Sequence, residues 1–401
     1  MTQFKTLSTS VEAPSKPAVA RTTLTGILSQ GRFRLIPMIA VLIVVWVVLN
    51  FLTGGLFLSA RNLTNLSGQV AITAVLAAGA VMVMVPGYID LSLGATVAAS
   101  AVVAAFASTV YGLGFWPTVI ITLGFGAMIG LWHGFWIAWM HVPAFIVTLA
   151  SLLGIRGLSL VITNAETISP SMQMLVISDA SLPPLVSILV LCAFWLVFSL
   201  LQWREWRAQV SAGVSASFGL LVLFPVVSVG IVALGAMITS ANYRGIPLPV
   251  ALVLAVVALI GGMLRYTAFG RRLYAIGGNR QAALLAGIDI TKQITIVFVA
   301  MGALYGLAGL MLVARLSSAP PTAGQGLELN VIAAAVIGGT SLLGGRGTVT
   351  GAAVGALLME SLANGMSLMN LPTSYQSIAV GLVLLLAVYI DVRGRGSRGD
   401  D

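Results

Sequence analysis

The chain has 401 residues, of which 59% are apolar, 8% are charged and 44 are glycine. A soluble domain is about one quarter charged, so 20 Lys and Arg with 11 Asp and Glu could not cover a water-facing surface of this size. The high apolar fraction excludes a disordered chain, and the single cysteine, Cys192, excludes an internal disulfide. The composition therefore predicts a polytopic membrane protein.

Long stretches without charge predict spanning helices. Residues 62–89, 91–155 and 208–243 contain no Asp, Glu, Lys or Arg, and about 20 apolar residues suffice to cross the hydrocarbon core. The apolar runs are continuous rather than alternating, which excludes an outer-membrane barrel. The predicted fold class is an all-α polytopic membrane protein with about 12 transmembrane helices (10–12), some broken or re-entrant. The predicted spans are 35–53, 67–87, 90–110, 117–139, 144–163, 183–201, 211–239, 247–264, 293–315, 329–345, 348–368 and 373–391.

Basic residues predict the orientation of these spans. They concentrate before the first span, after the last one and in the segment 265–292, and the positive-inside rule places such segments in the cytoplasm. We expect a cytoplasmic tail at 1–34, a transmembrane domain at 35–391 and a second cytoplasmic tail at 392–401. The first 30 residues lack the apolar core of a secretory signal peptide.

Two charged residues interrupt the early spans. Asp90 follows Pro86 and Gly87 in VPGYIDLSLG (85–94), where the chain forms either a broken helix beside a transport pathway or a tight turn with Asp90 capping the next helix. Arg156 lies inside a predicted span. It either lines a pathway, extends its charge to the interface, or pairs with Glu166.

The largest internal polar block is GRRLYAIGGNRQAALLAGIDI at 270–290. Gly-Gly-Asn is a turn signal, so we expect a short helix from Arg280 to Gly287, with Asn279 as its N-cap and Gly287 as its stop. This element is either a docking site for a partner or an ordinary solvated loop.

A glycine-rich stretch follows at 328–351, and it predicts close helix packing or a re-entrant segment. In the next span Glu360 and Asn364 are four residues apart and share one helical face. They either line a polar pathway or form hydrogen bonds between helices.

Signatures of catalysis are missing from the sequence. It has no phosphate-binding loop of the form GxxxxGK[ST], no GxSxG and no HExxH. The two histidines, His133 and His141, have no metal-ligand cluster around them. We therefore expect no enzyme activity, no metal and no cofactor in this chain.

Four stretches together resemble the sugar permeases of bacterial ABC importers, the ribose, galactose and xylose group. They are PGYIDLSLGA (86–95), VPAFIVTLASLLGIRGLSL (142–160), TAFGRRLYAIGGNRQAALLAGI (267–288) and GQGLELNVIAAAVIGGTSLLGGRGTVTGAAVGA (324–356). An additional pair of spans around 183–239 resembles the xylose permease subgroup. The chain departs from the usual pattern at His133-Gly134, where members have Asn-Gly, and at Tyr88, where a second glycine is common.

The resemblance implies a monosaccharide importer of the bacterial inner membrane that works with separate proteins. An extracytoplasmic sugar-binding protein delivers the sugar, two copies of the permease form the pathway, and a cytoplasmic ATPase with two nucleotide-binding modules binds ATP and Mg. The residues implied in ATPase coupling are Gly278, Asn279, Arg280, Ala282, Ala283 and Gly287.

Three other classes remain open from the sequence alone. An ion-coupled secondary transporter would use Asp90 and Glu360 as ion sites. A scaffold protein would not need the intramembrane charges. An exporter permease would need no sugar-binding protein.

Overall fold

The computed structural model describes residues 35–211 and 245–396, which form a bundle of helices with no β-strand in those two ranges. The predicted tail 1–34 and most of the predicted span 211–239 lie outside the described residues. The helices of six or more residues are α1 Leu35–Leu52, α2 Ala60–Met84, α3 Leu93–Ala105, α4 Phe115–Gly134, α5 Ala144–Ile162, α6 Pro184–Ser211, α7 Leu248–Tyr266, α8 Ala268–Gly278, α9 Arg280–Leu285, α10 Ile290–Leu316, α11 Leu327–Ile337, α12 Val349–Leu368 and α13 Thr373–Gly396. A 3-10 turn, Met172–Leu175, and one α-helical turn, Val176–Asp179, lie between α5 and α6. Single π-helical turns, Phe106–Val110 and Phe135–Trp139, extend α3 and α4.

Six described helices are long and apolar enough to cross a membrane, and shorter apolar segments lie in α1, α6, α11 and α13. This confirms an all-α polytopic membrane fold. The spanning segments of α2, α3 and α10 are mostly buried and form the centre of the bundle, whereas only 22–28% of the spanning segments of α4, α5 and α7 is buried. The exposed side chains of α4 and α5 are large and apolar, such as Ile120 and Leu153, as expected of surfaces that face lipid or another chain.

Glycines bring α4 and α10 into backbone contact. A Cβ atom at Gly126 would lie 2.1 Å from the Gly302 carbonyl oxygen, and one at Gly130 would lie 2.1 Å from the Phe298 carbonyl oxygen. Such small-residue interfaces supply close packing where lipid leaves no hydrophobic drive between helices. An exposed helix is thereby held firmly against the core.

Two stretches inside the bundle are not helical: residues 85–92 separate α2 from α3, and residues 338–348 separate α11 from α12. The helix α11 has 11 residues, about half the length that a crossing needs. A Cβ atom at Gly94 would lie 2.2 Å from the Gly324 carbonyl oxygen and 2.3 Å from Glu328 Oε2, so the first turns of α3 and α11 meet. Of the segment predicted to be broken or re-entrant, 329–345, only the first part is helical. Irregular backbone of this kind is tolerated at membrane depth when protein surrounds it.

The short helix predicted after Gly278 is confirmed as α9. The Asn279 side chain accepts a hydrogen bond from the Ala282 backbone N–H at 3.0 Å, and Gly287 adopts a φ of +76° just after the helix. We call the end of the bundle that carries α8 and α9 the basic end, because Arg271, Arg272 and other basic residues of 265–292 lie there.

Candidate functional site

The basic end presents α9 outward. Five of the six residues predicted to couple to the ATPase are exposed, as a partner contact would require: Gly278, Asn279, Arg280, Ala282 and Gly287. Ala283, which belongs to the same predicted set, is 3% exposed and anchors the helix to the bundle.

The most exposed apolar group of α9 is Leu285, whose side chain is 90% exposed. Sequence reasoning missed this residue. The signal was present, because Leu284 and Leu285 are the only adjacent leucines in an otherwise polar block, and an apolar side chain in water at that position is available for a partner.

Two tyrosines tie α8 and α9 to the rest of the basic end. The Arg280 Nη1 atom donates a hydrogen bond to Tyr88 Oη at 3.0 Å, and Tyr274 Oη donates to the Gly347 carbonyl oxygen at 2.7 Å. Burial raises the pKa of Tyr274 above its ordinary value, with the charge of Arg265 acting in the opposite direction. The Tyr274 hydroxyl therefore stays protonated and remains a donor at neutral pH.

Asp90 lies in a buried polar cluster and is 4% exposed. Its Oδ1 atom accepts hydrogen bonds from the Ser92 backbone N–H at 2.8 Å and from Ser92 Oγ at 2.7 Å, and its Oδ2 atom accepts one from Tyr305 Oη. His133 Nδ1 lies 3.9 Å from the same Oδ2 atom, and neither ring nitrogen of His133 has a hydrogen-bond partner in the described part of the chain. The carboxylate thereby fastens the non-helical segment 85–92 to α10, and Ser92 is the N-cap residue of α3.

Glu360 and Asn364 both make hydrogen bonds between helices, the second of the two predicted alternatives. Thr73 Oγ1 on α2 donates to Glu360 Oε1 at 2.6 Å. Asn62 Nδ2, also on α2, donates to Asn364 Oδ1 at 2.9 Å. These bonds connect α12 to α2 along one polar seam, which Trp46 Nε1 of α1 extends by donating to Ser361 Oγ at 2.9 Å.

Arg156 lies apart from these clusters, on α5. Its Nε and Nη2 atoms are buried and have no hydrogen-bond partner among the described residues, so the proposed pairing with Glu166 is not formed within that part of the chain. Nearby positions on the same helix are strongly exposed, with Leu153 at 66% and Val161 at 74%.

Two adjoining cavities open at the end opposite the basic end. The smaller one, of about 170 Å³, is lined by polar residues such as Asn65, Asp179 and Arg315 and by apolar ones such as Met311. An apolar cleft of about 850 Å³ shares Asp179 with it and extends between Trp46 and Val253. Sequence reasoning did not find these cavities, because their walls come from helices far apart in the chain.

Comparison with known proteins places these features in a family. Residues 62–388 match the family described as branched-chain amino acid transport system / permease component. The chain is similar to the xylose transport system permease protein XylH of Escherichia coli K12, with 43% identity over 360 residues that cover 88% of this chain and 90% of the relative. Identity to the Haemophilus influenzae protein of the same name is also 43%, over 367 residues, 89% of this chain and 96% of the relative.

A more distant similarity connects the chain to ribose permeases. The ribose import permease protein RbsC of Bacillus subtilis is 33% identical over 337 residues, which cover 84% of this chain and 86% of the relative. No solved structure matches the chain.

Proposed function

The chain belongs to the family described as branched-chain amino acid transport system / permease component, and from this we propose that it is the permease subunit of an ABC importer that carries xylose, or a closely related sugar, across the bacterial inner membrane. The observation that carries the proposal is the 43% identity to xylose permeases over nearly the full length of both chains. The chain is a transport subunit rather than an enzyme.

In this proposal the energy for transport comes from a second protein, and the chain itself has no phosphate-binding loop of the form GxxxxGK[ST]. Permeases of ABC importers work with an ATPase and a substrate-binding protein. We infer that an ATPase with two nucleotide-binding modules docks on α8 and α9, with Leu285 entering an apolar pocket on its surface. The exposed position of this side chain on the most basic part of the chain supports that docking site.

A second copy of the chain completes the pathway in this proposal. The outward face of α5 supports it, because Gly154 and Gly157 have no neighbouring atom within 4 Å of an added Cβ and small residues allow close approach of helices. Arg156 lies on this helix, and its Nε and Nη2 atoms are buried without a hydrogen-bond partner among the described residues. A cation at membrane depth requires water or a polar partner, which sugar hydroxyls or water in the pathway would supply.

The test is uptake of radiolabelled xylose into liposomes that contain the purified permease, its ATPase and its sugar-binding protein. We expect uptake that requires ATP inside the liposomes and persists when the proton gradient is collapsed. An ATPase variant unable to hydrolyse ATP is the control and should abolish uptake. Uptake without the ATPase, or loss of uptake on collapsing the gradient, would instead favour the ion-coupled secondary transporter.

A further inference from the structure

At the basic end, three segments distant in sequence meet backbone to backbone. The Gly345 N–H donates a hydrogen bond to the Val85 carbonyl oxygen at 2.8 Å. A Cβ atom at Gly277, near the end of α8, would lie 1.8 Å from that same oxygen and 2.5 Å from the Gly345 nitrogen. We call this meeting point of Val85, Gly277 and Gly345 the glycine junction.

Two side-chain hydrogen bonds reinforce the glycine junction. Tyr274, one turn before Gly277, donates to the Gly347 carbonyl oxygen. Arg280, three residues after Gly277, donates to Tyr88. The segment formed by α8 and α9 therefore contacts the two non-helical stretches through the backbone at the glycine junction. In addition, one side-chain hydrogen bond connects it to each of the two stretches.

Both stretches lead from the basic end to the first turns of two helices. The stretch after Val85 runs to Asp90, which is bound to Tyr305 of α10, and then into α3. The stretch around Gly345 connects α11 with α12, whose N-cap, Thr348, accepts from the Gly351 backbone N–H at 3.2 Å.

The first turns of α3 and α11 are themselves in contact. Gly94 of α3 approaches the Gly324 carbonyl oxygen and the carboxylate of Glu328. The Oε2 atom of Glu328 is buried and has no hydrogen-bond partner among the described residues. The stretch after Val85 leads directly into α3, and the stretch around Gly345 begins where α11 ends. A displacement of either stretch therefore reaches this contact through one of the two helices, at a point where a buried carboxylate oxygen is unpaired, which is a costly arrangement.

We propose that the glycine junction is the element that transmits movement of the ATPase-docking segment to both non-helical stretches at once, and that Gly277 is its positioning residue. Backbone atoms in direct contact have no side-chain rotamers with which to absorb a displacement, and close-packed interiors transmit strain. A side chain at Gly277 would separate α8 from Val85 and Gly345 and break the transmission. This inference rests on the proposed function, because it requires an ATPase bound to α8 and α9.

The experiment measures sugar imported per ATP hydrolysed in the reconstituted complex of permease, ATPase and sugar-binding protein. The variant is Gly277→Ala, and Gly262→Ala in α7 is the matched control, because an added Cβ there meets no atom within 4 Å. For each bound ATPase, we expect Gly277→Ala to lower the import-to-hydrolysis ratio at least about tenfold, equivalent to about 1.4 kcal/mol of coupling. Since coupling is reciprocal, stimulation of the ATPase by loaded sugar-binding protein should fall as well. Gly262→Ala should behave as the unaltered chain does.

A second variant covers the case in which Gly277→Ala fails to fold. Tyr274→Phe keeps the ring and removes only the hydrogen bond to Gly347, so the same ratio should fall severalfold at normal levels of assembled complex. A wild-type ratio in Tyr274→Phe, or in a folded Gly277→Ala, would overturn the role of the glycine junction while leaving the proposed function intact. An unaltered permease that neither binds an ATPase nor imports sugar would overturn the proposed function itself, and this inference with it.

Discussion

At the scale of single residues, Asp90 shows how a carboxylate is accommodated inside an apolar bundle. It is 4% exposed, and an ionised group at such a place is costly unless it is paired and hydrogen-bonded. Donors from Ser92 and Tyr305 supply those bonds. The same contacts fix the stretch 85–92, which lies between two helices and belongs to neither.

Removing the tyrosine donor should therefore destabilise the whole bundle. Tyr305→Phe leaves Asp90 with one donor fewer in a buried site, and hydrogen bonds to charged groups contribute about 1.5–3 kcal/mol. We expect a lower thermal unfolding temperature for the purified protein in detergent. Tyr111→Phe, at a position 72% exposed, is the control and should leave the temperature unchanged. Equal unfolding temperatures for the two variants would show that the Tyr305 hydroxyl contributes nothing to stability.

Glu360 provides a second test at this scale, since it separates two classes of transporter. Its Oε1 atom accepts a hydrogen bond from Thr73, and the amide oxygen of glutamine can accept the same bond. We expect Glu360→Gln to fold normally and to retain most of the ATP-driven xylose uptake. Abolished uptake with normal folding would indicate that the negative charge itself takes part in transport, as an ion-coupled mechanism requires.

At the scale of elements, glycines decide how close the helices come. The contact between α4 and α10 depends on Gly126 and Gly302. A Cβ atom added at Gly126 would lie 2.1 Å from the Gly302 carbonyl oxygen, and one added at Gly302 would lie 2.3 Å from the Gly126 carbonyl oxygen. On the same α4 helix, Gly124 faces open space. Two glycines two residues apart thus have opposite environments.

This difference gives a prediction with an internal control. Gly126→Ala should force α4 away from α10 and lower both the yield and the thermal unfolding temperature, because overpacking costs about 1–3 kcal/mol. Gly124→Ala should leave both unchanged, since its methyl group would enter open space. The measurement is size-exclusion chromatography and thermal unfolding of the two variants side by side. Similar behaviour of both variants would contradict the packing described between the two helices.

The short α9 helix carries the proposed ATPase contact at this same scale. Leu285→Ala should lower the amount of ATPase recovered with the permease in a pull-down from native membranes, because it removes an apolar side chain that a partner would bury. Leu259→Ala on α7, where the side chain is 71% exposed but lies within a spanning helix, is the control and should recover normal amounts. If both variants recover equal amounts of ATPase, the contact lies elsewhere.

At the scale of the whole molecule, burial is uneven. The helices α2, α3 and α10 form the centre, whereas only 22% of the spanning segments of α4 and α5 is buried. In the proposed complex, α5 of one copy faces α5 of the other. Large exposed apolar surface is what an obligate contact or lipid would cover.

Cysteine cross-linking distinguishes a second copy from lipid. In a Cys192→Ser background, which removes the single native cysteine, Val161→Cys on α5 should form a disulfide-linked dimer in membranes. Leu259→Cys on α7, which is similarly exposed, should not. If both cysteine variants remain monomeric even with a short bifunctional thiol cross-linker, the result would argue against a dimer through α5.

Much of the architecture was predictable because it depends on local composition. Charge-free stretches predicted the positions of most helices, and the residue types around 279–287 predicted α9 with its N-cap and its terminating glycine, since capping is decided by neighbours within one turn. The interruption after Pro86 and the short helix α11 also have local causes. The family resemblance was likewise readable from motifs in the sequence.

The contacts between distant residues were decided only by the tertiary structure. Asp90 and Tyr305 are 215 positions apart, and Tyr274 and Gly347 are 73 apart. A polar residue in an apolar span predicts that a polar partner lies nearby. The helical periodicity of the sequence does not indicate which other helix supplies that partner. The same reason explains Glu360 and Asn364, for which the sequence left a pathway and a hydrogen-bonded seam equally open. The sequence by itself thus determined what kind of protein this is and where most of its helices lie. Which polar groups meet was decided only by the tertiary structure, because each partner comes from a different helix and the way those helices pack brings the two together.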